Sequence, residues 1–435
     1  MPRALYSLAV WLAQPWLRAK LARRGKAEPG YLQAVEERFG HYGPAEGGGY
    51  VWIHAVSLGE TRAAAILLAA LRQRLPGMRL LLTNGTATGR AEGQKLLRAG
   101  DMQVWQPWDT PAAVRSFLRH FRPAIGILME TEVWPNLVAQ SQAQDVPLVL
   151  ANARLSEKSL RAALRLGALA RPAYATLAAV WAQSEADANR LRQLGAPVRG
   201  VFGNLKFDAA PDAAQLAQGR AWRTATGRPV LLFASSREGE EAIWLQSLKR
   251  FRPLAGVQQP QVAINSIANG VQWLIVPRHP QRFDAVAALA EQAGFSVSRR
   301  SAWGGGPPPP ADIWLGDSLG EMALYYGLAD AALLGGSFAP LGGQNLIEAA
   351  ACGCPVVLGP HTFNFAEVAR QAVEQGAALR VPDMDAAVAQ ALAWVAEPPR
   401  REAAAHAALA FAAAHRGAAA RTADGVVELV GQSAG

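Results

Sequence analysis

The stretch from Ala331 to Pro360, AALLGGSFAPLGGQNLIEAAACGCPVVLGP, restricts the fold of this chain more than any other. Its first residues, Ala331 to Leu334, form an apolar run without alternation. That is the pattern of a strand buried on both faces, as in parallel sheets covered by helices. Gly335, Gly336, Gly342 and Gly343 then make a connection whose backbone can approach a ligand closely. Gln344 to Cys352 reads as a short helix stopped by Gly353, and Pro355 to Leu358 as the next buried strand. A glycine loop feeding a helix N-terminus suits an anion, because free N–H groups and the helix dipole both point outward. Asn345 and Glu348, three apart, are expected to face one ligand from the first helical turn. The same pattern also fits an ordinary strand–helix–strand unit with a glycine-rich link.

The rest of the chain repeats this alternation. In the first half, strands are expected at Tyr50–Val56, Arg79–Thr83, Met102–Trp105, Ile125–Met129, Val146–Leu150, Ala178–Ala182 and Val198–Phe202. Helices are expected between them at Thr61–Leu75, Ala87–Ala99, Pro111–Phe121 and Trp134–Ala143. The pattern restarts at Pro229–Ala234. Strands alternating with helices imply parallel pairing with helices on both faces, and 435 residues exceed one core at roughly 150 residues per domain. The expectation is an α/β chain of two Rossmann-like, doubly wound domains facing one cleft, residues 27–207 and 208–400. Residues 1–26 form a separate segment, and 401–435 a helical tail that crosses back to the first domain. Gly256–Gly270 and Ala302–Ala311 read as surface insertions, the second too rich in Pro and Gly to pack as an element. Ligands of such sheets bind beyond the carboxyl ends of the strands, which directs attention to the loops there.

Ser57-Leu58-Gly59-Glu60 follows the first strand. It reads both as a Ser-x-x-Glu capping box, Glu60 reaching back to the Ser57 N–H, and as the site of a general base. Glu130 and Glu132, in ETEVWPN, pair two carboxylates suited to sugar hydroxyls or, more weakly, to a metal, although Pro135 equally fits a plain helix entry. The loops Asn84–Gly89, carrying Thr86 and Thr88, and Asn152–Ser156 have the polar content of ligand loops. In the second half, Ser235-Ser236-Arg237 and Pro277-Arg278-His279-Pro280 follow strands, and an arginine there suits a phosphate through its planar fork. Asp383-x-Asp385 reads as a helix start rather than a metal site. The sequence has no G-x-G-x-x-G, Walker loop, His-Glu-x-x-His or nucleophile elbow, which weighs against nicotinamide, P-loop, zinc-peptidase and serine-hydrolase chemistry.

A formal charge of +9 calls for a polyanionic neighbour. No nucleic-acid-binding module accompanies it, so nucleic acid is set aside in favour of anionic lipid and a phosphorylated substrate. Only Cys352 and Cys354 are present, too few for a disulfide framework, which points to a reducing, cytoplasmic compartment. Ala4 to Leu17 is apolar, with Trp11 and Trp16, and is followed by Arg18, Lys20, Arg23, Arg24 and Lys26. It falls short of the ~20 residues that span a bilayer, and Pro15 interrupts it. Its charges follow the apolar run, unlike those of a signal peptide. An interfacial anchor on anionic lipid fits. The alternative is a helix packed on the protein's own core.

Taken together, these motifs resemble one family, the 3-deoxy-D-manno-octulosonic acid (Kdo) transferases of lipid A biosynthesis. The matching pieces are Pro29-Gly30-Tyr31, Glu37-Arg38-Phe39-Gly40, HAVSLGE ending at Glu60, ETEVWPN, NARLS from Asn152, GNLKFD from Gly203, SSREGEE from Ser235, VPRHPQRF from Val276 and GGQNLIEAA from Gly342. The resemblance runs over roughly residues 1–400. It implies a GT-B glycosyltransferase, acceptor on the first domain and donor on the second. It also implies inverting transfer of Kdo from CMP-Kdo to a lipid A precursor (lipid IVA) at the cytoplasmic face of the inner membrane, with no metal or cofactor. By motif, Glu60 is the base, and Gly59, Thr86, Thr88, Glu130 and Glu132 lie on the acceptor side. The donor residues are Lys206, Ser235, Ser236, Arg278, His279, Gly342, Gly343, Gln344, Asn345 and Glu348, with Arg278 and the Asn345 loop on the phosphate and Glu348 on the ribose. Two departures stand out: Arg237 occupies a position where the family usually has His, and Gln344 one where it often does.

Overall fold

The apolar runs become strands with no exposed face at the sheet centres and half-open strands at the edges. The computed structural model describes residues 2–44, 47–251 and 270–433. Residues up to Asp208 and from Arg416 on form one compact unit, and Ala209–His415 the other.

Among the described residues, the first unit holds β1 (Val51–His54), β2 (Leu80–Asn84), β3 (Met102–Trp105), β4 (Ile125–Met129), β5 (Leu148–Ala153), β6 (Ala179–Ala182) and β7 (Val198–Val201). They pair in parallel in the order β3-β2-β1-β4-β5-β6-β7. β1, β2, β4, β5 and β6 are wholly buried, while β3 and β7 at the edges are partly exposed. The second unit holds β8 (Val230–Ser236), β9 (Gln272–Pro277), β10 (Val297–Arg299), β11 (Ile313–Leu315), β12 (Ala331–Leu334), β13 (Val356–Leu358) and β14 (Ala378–Arg380). Their order is β10-β11-β9-β8-β12-β13-β14, again parallel. Strand order reverses direction between β1 and β4 in one sheet and between β8 and β12 in the other. Such switch points open crevices at the carboxyl ends of the strands.

The sheet of the first unit is covered on both sides. Trp52, Phe117, Phe121, Leu150 and Val180 fill one side. On the other, Ile53, Leu67, Leu71, Met129 and Trp181 meet Ala423, Val426 and Leu429 from the helix Ala418–Ser433. That last helix is capped at long range, because the Asp208 carboxylate accepts the Gly417 and Ala419 amides.

Some boundaries differ from expectation. The helix expected over Gln344–Cys352 is only Ile347–Ala351. Gly342 and Gly343 have φ of +90° and +79°, and the Asn345 side chain accepts the Ile347 N–H at 3.1 Å. Asn345 therefore precedes the helix, its side chain taken by a local backbone bond as short polar residues often are. The helix expected over Ala87–Ala99 ends at Gln94, giving way to turns at Gly93 and Gln94. The Gly256–Gly270 insertion lies outside the described residues except for its last residue. No helix or strand covers 304–311, yet Trp303 is buried against Trp222 and Trp314, with ring centroids 6.1 and 5.8 Å apart. Asp383 is a helix N-cap, accepting the Ala386 N–H at 2.8 Å.

The N-terminal segment forms two helices, Pro2–Leu12 and Gln14–Ala27, with Pro15 placed in the first turn of the second, where its missing N–H costs nothing. The second helix buries Leu21 and Gly25, and Gly25 lies directly against the Leu32 side chain. Arg18 pairs with Glu36 at 2.6 Å and lies 3.6 Å over the Phe39 ring. The first helix buries none of its residues and is tethered by Ser7, which donates to the Asn136 side chain at 2.9 Å.

Candidate functional site

In the first unit, the chain leaves β1 through Val56 and enters the helix Leu58–Arg74 at Ser57. Ser57 Oγ accepts the Glu60 N–H at 3.3 Å, as an N-cap does. Glu60 does not reach back to the Ser57 N–H as in the expected capping box. One carboxylate oxygen accepts the Val56 N–H at 2.7 Å and the other accepts the Ser57 hydroxyl at 2.9 Å. The Val56 carbonyl in turn accepts the Gly85 and Thr86 amides and the Thr86 hydroxyl, all at 3.0 Å. The loop after β2 is thus clipped to the loop after β1. Thr86 caps the next helix through the Gly89 N–H at 3.2 Å, while Thr88 and Gly59 are exposed.

A third segment braces this pair. Arg38 is almost fully buried, stacked 3.9 Å from the Trp105 ring centre, and donates to the Gly85 carbonyl at 3.0 Å. Burial pushes its guanidinium down to about 10. Glu37 pairs with Arg90 at 2.8 Å and accepts the Trp105 N–H at 2.7 Å. The sequence marked Glu37 and Arg38 as part of a motif, and neither had a role without Trp105 beside it.

Across the switch point, Glu130 follows β4 in the left-handed region, φ +58°. It is buried, pairs with Arg154 at 2.7 Å, and exchanges backbone bonds with Ala151 and Arg154. Asn152, φ +53°, sits where the pairing of β5 with β6 slips, and its side-chain oxygen accepts the Leu205 N–H at 3.0 Å. Glu132 accepts the Trp134 indole N–H at 2.8 Å. Burial raises the carboxyl pKa values of Glu60 and Glu132. Hydrogen bonds from Val56 and Ser57 to Glu60, and from Trp134 to Glu132, oppose the shift, while neighbouring carboxylates add to it. Glu60 responds to both Glu132 and Glu130, so the structure brings these three predicted residues together. A half-buried carboxylate with a raised pKa at a strand's carboxyl end is equipped to accept a proton from a hydroxyl.

In the second unit, β8 ends in a bulge. Ser235 has φ +55°, and the register with β9 shifts between Ala234 and Ser236. Gly335 passes so close that a Cβ there would sit 2.3 Å from the Ser235 carbonyl oxygen, which only glycine allows. Arg278 donates its N–H to the Ser236 carbonyl at 3.0 Å. His279 is held below its ordinary pKa by desolvation and then by the charges of Arg237 and Arg278, so three potential cations converge at the ends of β8 and β9. Neither arginine is in an ion pair among the described residues.

The buried Glu240 accepts the N–H groups of Arg237 at 3.0 Å, Gly336 at 2.7 Å, Phe338 at 3.0 Å and Ala339 at 3.1 Å. Its neighbour Glu241 accepts the Ser236 hydroxyl at 3.2 Å and lies 3.5 Å from Arg282. Gly343 donates to the Gly336 carbonyl at 2.7 Å. The segments 235–241, 276–283 and 335–345 are therefore one assembly, which also contains the half-buried Gln344 and Asn345. Glu348 is exposed on the short helix that follows. Lys206 lies on the turn Leu205–Asp208 of the first unit.

A sequence profile of the family described as 3-Deoxy-D-manno-octulosonic-acid transferase (kdotransferase) matches residues 33–209. The 3-deoxy-D-manno-octulosonic acid transferase of Bordetella pertussis is 48% identical over 441 residues, covering 99% of this chain and 100% of that protein. That of Haemophilus influenzae is 33% identical over 390 residues, covering 88% and 87%. Among solved structures, the UDP-GlcNAc 2-epimerase from Neisseria meningitidis bound to UDP-GlcNAc aligns with a TM-score of 0.56 at 14% identity, over 88% of this chain and 100% of that one. A glycosyltransferase from Rickettsia africae aligns at 0.54 and 12% identity, over 88% and 98%. At such identities the likeness is one of fold, and the fold is the expected two-domain GT-B architecture.

Proposed function

The chain belongs to the 3-deoxy-D-manno-octulosonic acid (Kdo) transferase family, and from that membership we propose a full reaction. In it, Kdo passes from CMP-Kdo to a lipid A precursor (lipid IVA), with inversion at the anomeric carbon. The observation that carries this reading is Glu60, a carboxylate of raised pKa fixed by Val56 and Ser57 at the switch point of the first sheet.

Glu60 takes the proton of an acceptor hydroxyl as that oxygen bonds to the anomeric carbon of Kdo. The bond from that carbon to the CMP phosphate oxygen breaks, and its electron pair leaves with CMP. Glu130, Glu132, Thr86, Thr88 and Gly59 form the acceptor side. The departing phosphate gathers negative charge, which Arg278, backed by Arg237 and His279, is suited to stabilise. Gly342, Gly343, Gln344 and Asn345 lie along the donor, Ser235 and Ser236 beneath it, and Glu348 takes the ribose. Lys206 is a further donor residue in this reading. With fixed positive charge already at the phosphate, the reading calls for no metal or cofactor.

The N-terminal helices supply the location. Leu5, Leu8, Trp11, Leu12 and Trp16 are all exposed, Trp11 and Trp16 by 60% and 62%. Arg23, Arg24 and Lys26 follow on the second helix. Among the described residues no helix is long and apolar enough to cross a membrane. An apolar, tryptophan-bearing face followed by cations supports docking on the anionic cytoplasmic leaflet of the inner membrane, where an acylated acceptor is reached without leaving the bilayer. Nucleic acid has no part in this reading.

The test is incubation of the purified protein with CMP-Kdo and a tetra-acylated lipid A precursor, followed by mass measurement of the product. UDP-sugars serve as alternative donors and EDTA as a metal control. A mass gain of Kdo from CMP-Kdo, unaffected by EDTA, is expected. Use of a UDP-sugar with CMP-Kdo ignored would overturn the donor assignment.

A further inference from the structure

We propose that Glu240 is a positioning residue for donor binding: its carboxylate is an internal anion around which the loop Gly336–Ala339 is folded before any donor arrives. The proposal rests on the reading that the donor occupies the second unit.

The segment Glu238-Gly239-Glu240-Glu241 offers three carboxylates, and the fold treats them differently. Glu238 is exposed, while Glu240 is 0% exposed. A carboxylate with no water around it is tolerated only when its lone pairs are filled by donors. Here four backbone N–H groups fill them, at 2.7–3.1 Å, and three of the four come from the loop after β12. Convergent main-chain N–H groups on one anion are the arrangement loops use for phosphate. In this protein that concavity is already occupied by one of its own side chains.

The consequences spread along the loop. Gly336, φ +71°, gives its N–H to Glu240, and its carbonyl accepts the Gly343 N–H at 2.7 Å. Ser337, next in line, donates its hydroxyl to the Leu334 carbonyl at 2.5 Å and accepts the Gly359 N–H at 2.9 Å. Its carbonyl accepts the His361 N–H at 3.0 Å. Glu240 therefore sets Gly336, Gly336 sets Gly343, and the position of Asn345 follows. The loop divides into two parts. The N–H groups of Gly336, Phe338 and Ala339 are committed to Glu240 and cannot serve a substrate phosphate, which leaves Gly342–Asn345 and the Arg278 side for the donor. Loss of the charge would leave the N–H groups of Gly336, Phe338 and Ala339 short of an acceptor and release the glycines that follow.

The experiment compares the full-length wild type with Glu240→Gln and Glu240→Asp. It reads steady-state kinetics for each substrate, CMP affinity by calorimetry, and amide exchange over residues 335–345. The Gln side chain presents one oxygen and one NH2 group to donors that need two oxygens. Hydrogen bonds to charged groups are strong enough that the donor KM and the CMP dissociation constant should rise about tenfold or more. The acceptor KM should stay within about twofold, and exchange should accelerate in 335–345 while β8 and β9 remain protected. The Asp variant keeps the charge one methylene short and should fall between the two. Should the Gln variant fail to fold, the Asp variant alone decides, through the same split between donor and acceptor KM. Unchanged exchange in 335–345, or faster exchange with an unchanged donor KM, overturns the role of Glu240. Failure of CMP to slow exchange at 335–345 in the wild type instead removes the donor-site reading, so the two failures are distinct.

Discussion

The Glu60 carboxylate accepts the Val56 N–H at 2.7 Å, so the candidate base is tied to the strand end that positions it. Capping and catalysis share one side chain here, and substitutions separate them. Glu60→Gln keeps an oxygen for Val56 but cannot take a proton, and should fold while turnover drops by roughly 10²–10⁴-fold. Glu60→Ala should in addition lose on the order of 1 kcal/mol of stability. Melting curves and turnover of both variants check this. Near-normal turnover in the Gln variant would leave Glu60 a cap and move the base to Glu130 or Glu132.

A base must be ionised to work, and burial raises the pKa of Glu60. Activity should therefore fall as pH falls through that raised value, with the acid limb of kcat/KM above the ordinary glutamate position of about 4.3. Glu132 adds to the shift as a like charge. Glu132→Gln should move the limb to lower pH, whatever it does to the rate itself. A limb that stays in place when Glu132 is neutralised would contradict the coupling.

Arg278→Ala should raise the KM for CMP-Kdo and weaken inhibition by CMP, each by about tenfold or more, with little change in acceptor KM. Arg278→Lys should recover only part, since a point charge does not replace a planar fork. Glu348→Ala should also weaken CMP. If donor use is unaltered in the Arg278 variants, another residue holds the phosphate.

Because Leu21 and Gly25 are buried and Gly25 lies against Leu32, removing the whole N-terminal segment would also strip cover from the first unit. Leu8→Glu and Trp11→Glu, on the helix that buries nothing, are cleaner probes. Both should reduce co-sedimentation with anionic vesicles and leave the melting temperature in place. Raised salt should weaken wild-type binding in part, by screening the basic residues. Undiminished sedimentation of both variants would exclude this face as the anchor.

His54 is fully buried, and desolvation lowers its pKa to about 3, with only Thr83 opposing. The unfolded chain takes up a proton near the ordinary value of about 6.5, whereas the folded chain does not until near 3. This contribution to stability is complete above 6.5 and is lost as pH falls, by up to about 1.4 kcal/mol per pH unit. Urea unfolding between pH 7 and 5 should show the slope, and His54→Gln should flatten it. Equal slopes in the two proteins would rule out His54 as its source.

The strands were legible because uninterrupted apolar runs such as Val51–His54 and Ala331–Leu334 have one stable use in a doubly wound sheet. The helix at Gln344 was overextended because sequence pattern does not reveal that Asn345 will spend its side chain on Ile347. The left-handed conformations of Glu130, Asn152 and Ser235 were out of reach for a stronger reason. None is glycine, and each is imposed by neighbouring strands and by loops from elsewhere in the chain. The motif containing Glu238, Glu240 and Glu241 was visible, but that Glu240 receives the loop's N–H groups depends on Gly336 and Phe338, nearly a hundred residues away. Motif order could point to the site, but only tertiary contact shows which side chains support it.

The long-range cap from Asp208 to the last helix has a temporal meaning during synthesis. The first unit is begun by the N-terminal half of the chain, but Ala63, Leu67, Leu71 and Trp181 await Ala423, Val426 and Leu429. At ~5–20 residues per second, the nascent unit stays open on that side for on the order of tens of seconds while the whole second unit is made. The half that emerges first is thus completed last, and its unfinished apolar wall is where a chaperone would find the growing chain.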